Sequence, residues 1–410
     1  MSGPRPSPPD RRLLLEAKDL VSGCDRCGAC LPVCPLFRVR DLERASGRGK
    51  NAIARALAEG GLEPGPEARA AVDFCLLCRA CAEACPNRIP TDEAMVRVRQ
   101  FFTDAAGGPP AGLALVGRAL RSRRWVRLGA GALALLRRVG LDRLLPAGTA
   151  PAQFTRAAFL RAFAGPAVLG GPVPAAPAAL GGRVAYFQGC GMRLLFPDAA
   201  RSTLALLNGL GPAAGRDNSC CGLPHLAHGM TGTFLELARR NIALYEDADL
   251  VVTDCASCGG TLKHLAGWFA GDPDWRDRAA AFSAKVLDLT EYLVRAGYRP
   301  RARHDLTFTF HEPCHLCRGQ GIRDQPRQLL AQAGRFVDMA EADSCCGGAG
   351  TFHLEHPEVA GLILERKRRN IEHTGAQVVV TACPGCLLQL TRAAEASGGR
   401  FQAIHISQVL

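Results

Sequence analysis

Two cysteine runs with the same spacing constrain the fold of this chain more than any other feature. They are CDRCGACLPVCP (24–35) and CLLCRACAEACP (75–86), and each reads C-x2-C-x2-C-x3-C-P. Three thiolates placed two residues apart wrap a tight loop around one metal cluster, and the fourth opens a helix that reaches another cluster. The proline that follows suits the first turn of such a helix. The N-terminal region is therefore predicted to fold around metal.

The spacing is that of bacterial-type ferredoxins, which hold two [4Fe–4S] cubane clusters. Zinc sites are the alternative, but zinc ribbons separate their C-x2-C pairs by longer stretches than these runs contain. Because the fourth cysteine of each run binds the other cluster, the two ligand sets are predicted to be crossed. Cluster 1 is assigned Cys24, Cys27, Cys30 and Cys85, and cluster 2 is assigned Cys75, Cys78, Cys81 and Cys34.

Roughly forty residues separate the two runs, unlike in a compact ferredoxin. They include RASGRGKNAIARALAEG (44–60), which is predicted to be a helix with Arg48 and Lys50 near its start. These cations either screen the charge of a cluster or dock a partner, or they belong to an ordinary solvated helix end.

The C-terminal half of the chain consists of one sequence pattern used twice. The offset between equivalent segments drifts only from 124 to 129 residues over most of the span. Such an internal repeat is read as one supersecondary unit in two copies. The equivalent segments are FQGC (187–190) with HEPC (311–314), SCCGLPH (219–225) with SCCGGAG (344–350), and LVVTDCASC (250–258) with VVVTACPGC (378–386).

Short β-rich runs end in cysteines in each copy, and helical patterns such as 232–246 and 358–373 lie between them. Alternating strands and helices predict a parallel sheet in each copy. Thiols just beyond the carboxyl ends of the strands would meet at the crevice where open α/β sheets bind ligands. The five predicted for the first copy are Cys190, Cys220, Cys221, Cys255 and Cys258, and those for the second are Cys314, Cys345, Cys346, Cys383 and Cys386.

Five convergent thiols exceed what one tetrahedral ion accepts, whereas a polynuclear cluster can use them. The vicinal pairs then make sense, because adjacent cysteines can bind or bridge different iron atoms. Zinc with spare thiols is the alternative. Copy one has Arg193 where copy two has Cys317, so Cys317 is predicted to be a spare, partly buried thiol.

The pattern C-x(about 30)-CCG-x(about 35)-C-x-x-C resembles the cysteine-rich CCG domain found in heterodisulfide reductase and its relatives. Two ferredoxin runs followed by two such domains resemble the iron–sulfur subunit of glycolate oxidase and related D-lactate and glycerol-3-phosphate dehydrogenase subunits. The segments HEPCHLCRGQGIRDQPRQLL, SCCGGAGTF and CPGCLLQL are similar to the final domain of that subunit. The resemblance implies two cubane clusters, one or two further noncubane [4Fe–4S] clusters in the repeats, and FAD on a partner subunit.

The predicted fold class is mixed α/β. Its parts are an α-helical bacterial-type two-cluster ferredoxin domain (1–105), a helical region with a Pro/Ala/Gly linker (106–182), and two CCG repeats with parallel sheets (183–300 and 301–410). The Arg-studded stretch 112–145 contains no run of about eighteen uncharged apolar residues, so it is not predicted to span a membrane. We favour helical packing for it over a basic amphipathic helix on a membrane surface.

The resemblance implies an electron-transfer subunit of a 2-hydroxy-acid dehydrogenase or oxidase. A partner flavoprotein would oxidise glycolate or D-lactate, and the clusters would pass the electrons to a quinone or another carrier. No G-x-G-x-x-G follows a predicted strand, which favours a flavin on another polypeptide. The alternative is a heterodisulfide reductase-like enzyme, favoured by the intact pair Cys383 and Cys386. A zinc-stabilised interaction module is the third hypothesis.

Composition limits the partners and the compartment. The formal charge of +12 comes from 45 Arg against 5 Lys, which indicates coding bias, and no stacking aromatics accompany the arginines, so nucleic acid is not a predicted partner. The start MSGPRPSPPDRR lacks the apolar stretch of a signal peptide. Nineteen cysteines then favour metal chemistry in the cytoplasm, with peripheral association at the inner face of the membrane as an option.

The sequence does not identify a catalytic residue. Five histidines flank the predicted clusters, and they either donate protons or serve as hydrogen-bond partners around the cluster ligands. They are His225, His228, His311, His315 and His353.

Overall fold

The computed structural model describes residues 10–121, 125, 128, 180–300 and 302–410. The chain divides into two compact units. The first comprises the residues up to Arg118 together with Gly222–Glu236, and the second comprises Ala119–Cys221 and Leu237–Leu410. Most of the stretch 112–145 and most of the predicted linker lie outside the described residues.

The described part of the first unit is helical, as predicted. Helix α1 packs against α3 and α6, and their contact buries Leu14, Ala17, Ala54 and Val98. The helices are α1 (Arg12–Leu20), α2 (Pro35–Arg40), α3 (Gly47–Glu59), α4 (Pro66–Asp73), α5 (Ala80–Glu83), α6 (Thr91–Ala105) and α7 (Ala111–Leu120), with a 3₁₀ turn at Glu43–Ala45.

The two ferredoxin runs end differently. Cys34 directly precedes α2, and Pro35 occupies the first turn of that helix, as expected. Cys85 does not open a helix, and the prediction was wrong there: the chain turns after it and the next helix begins only at Thr91. The turn is held by Asn87, whose side chain donates to the Gly23 carbonyl at 2.7 Å.

Each CCG repeat forms a four-stranded, all-parallel sheet, as predicted. The strand orders are β2-β1-β3-β4 and β6-β5-β7-β8. The strands are β1 (Val184–Tyr186), β2 (Ala213–Gly215), β3 (Leu250–Thr253), β4 (Val286–Asp288), β5 (Thr307–Phe310), β6 (Arg335–Phe336), β7 (Val378–Thr381) and β8 (Gln402–His405).

In each sheet the direction in which strands are added reverses between the first and the third strand along the chain, β1 and β3 in the first sheet and β5 and β7 in the second. From β1 the chain crosses to one side to form β2, and then returns past β1 to form β3 and β4. Such a topological switch point leaves a crevice at the carboxyl ends of the two central strands. Cys190 and Cys255 follow β1 and β3, so both thiols belong to this crevice, and Cys314 and Cys383 take the same places after β5 and β7.

Helices connect the strands of the second unit and cover its sheets. In several of them a cysteine is the first residue or directly precedes it, which ties the thiol to a fixed backbone position. The helices of the two repeats, of which α10 and the start of α11 belong to the first unit, are α8 (Cys190–Leu195), α9 (Pro197–Leu210), α10 (Leu223–Ala227), α11 (Thr231–Leu244), α12 (Ala256–Lys263), α13 (Leu265–Trp268), α14 (Arg276–Ala284), α15 (Leu289–Arg295), α16 (Cys314–Gln320), α17 (Asp324–Ala333), α18 (Phe352–Glu355), α19 (Pro357–His373) and α20 (Pro384–Ala396), with a 3₁₀ turn at Ile406–Gln408.

The two repeats pack on each other with matching elements. Helix α12 of the first repeat contacts α16 of the second, and the equivalent α20 of the second contacts α8 of the first. The N–H of Ala256 donates to the carbonyl of Ala382 at 2.8 Å, which joins the residues that follow and precede Cys255 and Cys383. One apolar core runs through both repeats and includes Leu287, Phe308 and Phe310. The carboxyl ends of both central strand pairs are thereby brought together.

Among the described residues, no helix is long and apolar enough to cross a membrane.

Candidate metal centres

Two neighbouring cavities in the first unit are lined by the cysteines of the two runs. Each contains three cysteines of one run and the last cysteine of the other, which is the crossed arrangement that the spacing predicts. As ligand sets they stay a prediction, which this arrangement supports. The first cavity is lined by Cys75, Cys78, Cys81 and Cys34, and the second by Cys24, Cys27, Cys30 and Cys85 together with Cys81 of the other run.

The loops around both cavities share an unusual backbone conformation. Arg26 and Gly28 of the first run have φ of 56° and 86°, and the equivalent Leu77 and Arg79 of the second have φ of 52° and 62°. A left-handed conformation at a residue with a side chain costs about 1–2 kcal/mol. The same two positions take it in both loops, which indicates that the tight turn is set by what the loop encloses.

Burial disfavours free thiolates in these cavities. It raises the pKa of Cys81 to about 12 and also raises the pKa of Cys34. A bound metal cation lowers the pKa of the thiols again, because a thiol that coordinates a metal is deprotonated. The four thiols of each predicted ligand set, with loop backbone around them, fit a [4Fe–4S] cluster.

Gly47, the first residue of α3, lies between the two cavities and lines both. A methyl group here would stand 2.7 Å from Cβ of Cys81 and 3.4 Å from Cβ of Cys30. The first distance is too short for two carbon atoms, so the backbone that carries the thiols would have to move.

We expect Gly47→Ala to lower the iron content of the purified protein and to cost about 1–3 kcal/mol of stability through overpacking. Iron analysis and EPR of the reduced protein measure the effect. Gly61→Ala is the matched control, since its added carbon would find its nearest atom, the Ala56 carbonyl oxygen, at 3.8 Å. Normal iron content in Gly47→Ala would show that the loops tolerate the shift.

Lys50 is not part of a solvated helix end. Its side chain is buried, and Nζ donates to the carbonyls of Arg44 at 3.0 Å and Ala71 at 3.2 Å. Burial lowers the pKa of Lys50, and the thiols of Cys75 and Cys34 oppose that shift. A charged group held beside the predicted cluster 2 can compensate thiolate charge.

Arg48 differs from Lys50 in being partly exposed. Its guanidinium pairs with Glu43 at 2.7 Å and donates to the carbonyl of Arg26 in the loop of the first run at 3.2 Å. It therefore fastens that loop to the start of α3.

Arg99 joins the loop of the second run to the segment Gly222–Glu236, which belongs to the same unit. Its guanidinium donates to the carbonyls of Val72, Asp73 and Cys75 at 3.1, 2.9 and 2.8 Å, and to that of Ala227 at 2.7 Å. The side chain is only 7% exposed. One buried cation thus satisfies four backbone acceptors around the start of the second run.

The ten predicted thiols of the CCG repeats form one continuous row. Each sulfur lies within hydrogen-bonding range of the next, and the first two are 3.5 Å apart. The row crosses from the first repeat to the second between Cys255 and Cys383, the two residues that follow β3 and β7. Its order is Cys190, Cys220, Cys221, Cys258, Cys255, Cys383, Cys386, Cys346, Cys345 and Cys314.

The row fits a polynuclear metal group better than free thiols. Contact with Cys190 and Cys221, together with burial, holds the pKa of the Cys220 thiol well above its ordinary value. Contact with Cys346 and Cys383, again with burial, does the same for Cys386. Several buried thiols can lose their protons together only if metal cations bind between the sulfurs, as in an iron–sulfur cluster. Their role as ligands remains a prediction.

Cys317 stands outside this row. It is buried, its sulfur lies 4.0 Å from the Cys314 carbonyl oxygen, and burial raises its pKa to about 11. The charged groups around it are Arg318 and Glu312 rather than thiolates. This position agrees with the prediction of a spare thiol.

The flanking histidines differ in their surroundings. His225, His315 and His353 have ring nitrogens at 3.0, 3.3 and 3.2 Å from the Gly117 carbonyl, the Ser257 hydroxyl and the Gly348 carbonyl. His311 is fully buried, and neither ring nitrogen has a hydrogen bond of normal geometry. A ring nitrogen of His311 and the sulfurs of Cys346 and Cys386 lie within 4.8 Å of one another. Proton donation by any of the five histidines stays a prediction.

Comparison with known proteins agrees with this geometry. Residues 184–263 and 308–391 match the family described as a cysteine-rich domain, CCG. Residues 20–89 match the 4Fe-4S dicluster domain family. The chain is 31% identical to a probable glycolate oxidase iron-sulfur subunit of Bacillus subtilis, over 94% of this chain and 92% of that protein.

The chain belongs to the family of glycolate oxidase iron–sulfur subunits. Other members of this superfamily align with part of it: lactate utilization protein A of Oceanobacillus iheyensis is 28% identical over 56% of this chain and 96% of its own length. A hypothetical protein from Helicobacter pylori has a solved structure with a TM-score of 0.54, covering 98% of this chain and 76% of that one. At 9% identity, that likeness concerns the fold alone. Family membership confirms a [4Fe–4S] protein with a dicluster domain and two CCG domains.

Proposed function

We propose that this chain is the electron-transfer subunit of a flavin-dependent 2-hydroxy-acid dehydrogenase. The observation that carries the proposal is the similarity along almost the whole chain to a probable glycolate oxidase iron-sulfur subunit. FAD would lie on a partner flavoprotein subunit, and glycolate or D-lactate would be the substrate. The acceptor would be a quinone or another carrier, reached in the cytoplasm or at the inner face of the membrane.

The arrangement of thiols supports a relay. Iron–sulfur clusters pass single electrons, which divides the two-electron oxidation of a hydroxy acid at a flavin into separate transfers. The residues of this chain would hold two cubane clusters in the first unit and one or two further clusters along the row of ten sulfurs. Buried Arg99 holds the start of the second run through the Cys75 carbonyl, and buried Lys50 lines the cavity of the predicted cluster 2.

A second function is favoured by one observation. Both C-x-x-C pairs of the repeats are complete and meet at the centre of the row, at Cys255 and Cys383. Complete sets in both repeats would suit a heterodisulfide reductase-like subunit that cleaves a disulfide at noncubane clusters. The substrate, rather than the fold, separates the two functions.

The test uses tagged protein purified anaerobically with its native partners. Visible absorbance is recorded before and after addition of glycolate or D-lactate. Bleaching of the cluster band by one of them is the expected result, and it identifies the substrate. If dithionite bleaches the band and neither acid does, the assignment fails and disulfide substrates are tested next.

A further inference from the structure

The two CCG repeats differ in the side chains that stand beside their thiols. Where the first repeat has Phe187 and Ala238, the second has His311 and Lys367. Phe187 and His311 are equivalent in space as well, because each backbone N–H donates to the carbonyl of the third residue of the adjacent central strand, at 2.8 and 2.9 Å. The repeats therefore give their sites different electrostatic surroundings.

Lys367 places a buried cation next to the second site. The residue is 1% exposed, and Nζ donates to the carbonyls of Glu341 and Ala342 at 2.5 and 3.2 Å. Beyond these carbonyls, the thiols of Cys346 and Cys345 are among the groups that act on its charge. The first repeat has only the methyl group of Ala238 at the equivalent position.

His311 adds a potential N–H donor to the same site. Its ring is completely buried, makes no hydrogen bond of normal geometry, and faces the sulfurs of Cys346 and Cys386. Two factors raise the reduction potential of an iron–sulfur cluster: hydrogen bonds donated to its sulfurs and positive charge close to it. In the first repeat the apolar ring of Phe187 occupies this place.

Buried acids stand near both sites: Glu312, two residues before Cys314, pairs with Arg323 at 2.6 Å, whereas the acid of the first site has hydroxyl partners. Asp254 directly precedes Cys255, is fully buried, and accepts hydrogen bonds from the hydroxyls of Tyr186 and Thr203, both at 2.7 Å. Ala382 is its equivalent in the second repeat. A carboxylate beside a cluster disfavours reduction, so it acts in the opposite direction from Lys367.

Arg193 is the cation nearest in sequence to the first site. Its guanidinium donates to the Gln188 side chain and to the Asn218 carbonyl, both at 3.2 Å. The residue is partly exposed, although its Nη2 is buried, so water reaches its charge more than that of Lys367.

We propose that the second CCG site is the electron acceptor of the pair and that the first site is its donor. The inference rests on the proposed function only in that both sites hold clusters. With iron–sulfur groups held by both sets of thiols, one electron would pass from the first site, which would be oxidised, to the second, which would be reduced. No proton moves and no bond is made or broken. Lys367 and His311 act as positioning residues that stabilise the added negative charge.

The test is an EPR-monitored redox titration of the iron-loaded full chain, with dithionite and mediators and without a hydroxy acid. The signal of the second site is the one lost in Cys314→Ser, which removes the thiol at the far end of the row. In Lys367→Met we expect the midpoint potential of that signal to fall by at least about 59 mV. For a one-electron couple, this corresponds to a tenfold change in the ratio of oxidised to reduced cluster at a given potential. In the unsubstituted protein this signal titrates above that of the first site.

Lys285→Met is the matched control. Lys285 also donates to three backbone carbonyls, those of Tyr245, Glu246 and Ala248, but the other charges around it are Asp247, Asp249 and Arg216 and no thiol. No potential should move in this variant. His311→Phe, which restores the residue of the first repeat, should shift the second-site signal in the same direction as Lys367→Met.

Unchanged potentials in an iron-loaded Lys367→Met protein, or equal shifts in Lys285→Met, would overturn the proposal. So would loss of iron from both Lys367→Met and His311→Phe, which would make the two residues purely structural. Because the titration needs no substrate, failure of glycolate and D-lactate to bleach the protein would leave this result intact.

Discussion

Replacing Cys383 by serine is expected to remove about four iron atoms per chain, the content of one [4Fe–4S] cluster. Cys383 lies at the centre of the row of sulfurs, in contact with Cys255 of the first repeat and Cys386 of the second. A hydroxyl is a much poorer ligand for iron than a thiolate. Electron transfer from a hydroxy acid to the final acceptor should then fall by roughly a hundredfold, since even residues around metal ligands carry 10- to 100-fold effects.

Cys317→Ser is the matched control for this experiment. Cys317 is as buried as the thiols of the row, but its neighbours are Arg318, Glu312 and a backbone carbonyl. Its substitution should leave the iron content and the EPR spectrum unchanged. Equal iron loss in both variants would show that Cys317 is a ligand, and no loss in either would remove Cys383 from the set.

Replacing Arg99 by leucine is expected to cost the first unit about 3–5 kcal/mol, because it leaves buried acceptors without a donor. The carbonyls of Val72, Asp73, Cys75 and Ala227 lose the guanidinium, although that of Asp73 still accepts from the Cys75 N–H at 2.8 Å. Since Cys75 begins the second ferredoxin run, we also expect a changed EPR signal from the predicted cluster 2. Anaerobic thermal denaturation, followed by circular dichroism and cluster absorbance, measures both effects.

Arg97→Leu is the control in the same helix. Arg97 pairs with Glu16 at 3.2 Å across a partly exposed surface, and such pairs contribute about 0–1 kcal/mol. A similar loss of stability in both variants would mean that α6 depends on its arginines in general. A stable Arg99→Leu protein with a normal spectrum would show that water replaces the guanidinium.

Most of the features that could be predicted from the sequence follow from the spacing of residues in short segments of the chain. The predicted crossed grouping of Cys34 with the second run and Cys85 with the first follows from the ferredoxin spacing of the two runs. The parallel sheets and the position of Cys190 and Cys255 after their strands follow from alternating strand and helix patterns. Each of these features is marked by a motif or a pattern that is visible in the sequence itself, so it can be predicted without knowledge of the folded structure.

Contacts between distant residues were beyond that reasoning. The single row of sulfurs exists because the repeats pack face to face through Ala256 and Ala382, and nothing in either repeat alone encodes that contact. The burial of Lys50 depends in the same way on the carbonyl of Ala71. One signal was available: lysine is rare in a chain with 45 Arg and 5 Lys, and two of the five, Lys50 and Lys367, are buried.

The closeness of the sulfurs in the row also determines what should happen to this protein when it loses iron in air. Once iron leaves, neighbouring thiols such as Cys190 and Cys220, 3.5 Å apart, are placed for oxidation to disulfides, with oxygen taking the electrons. Each such bond would remove two predicted ligands at once, and buried disulfides exchange slowly with external thiols because access is poor. If iron is lost without oxygen, the thiols stay reduced and can bind iron again. If it is lost in air, the thiols form disulfides and the sites can no longer bind iron.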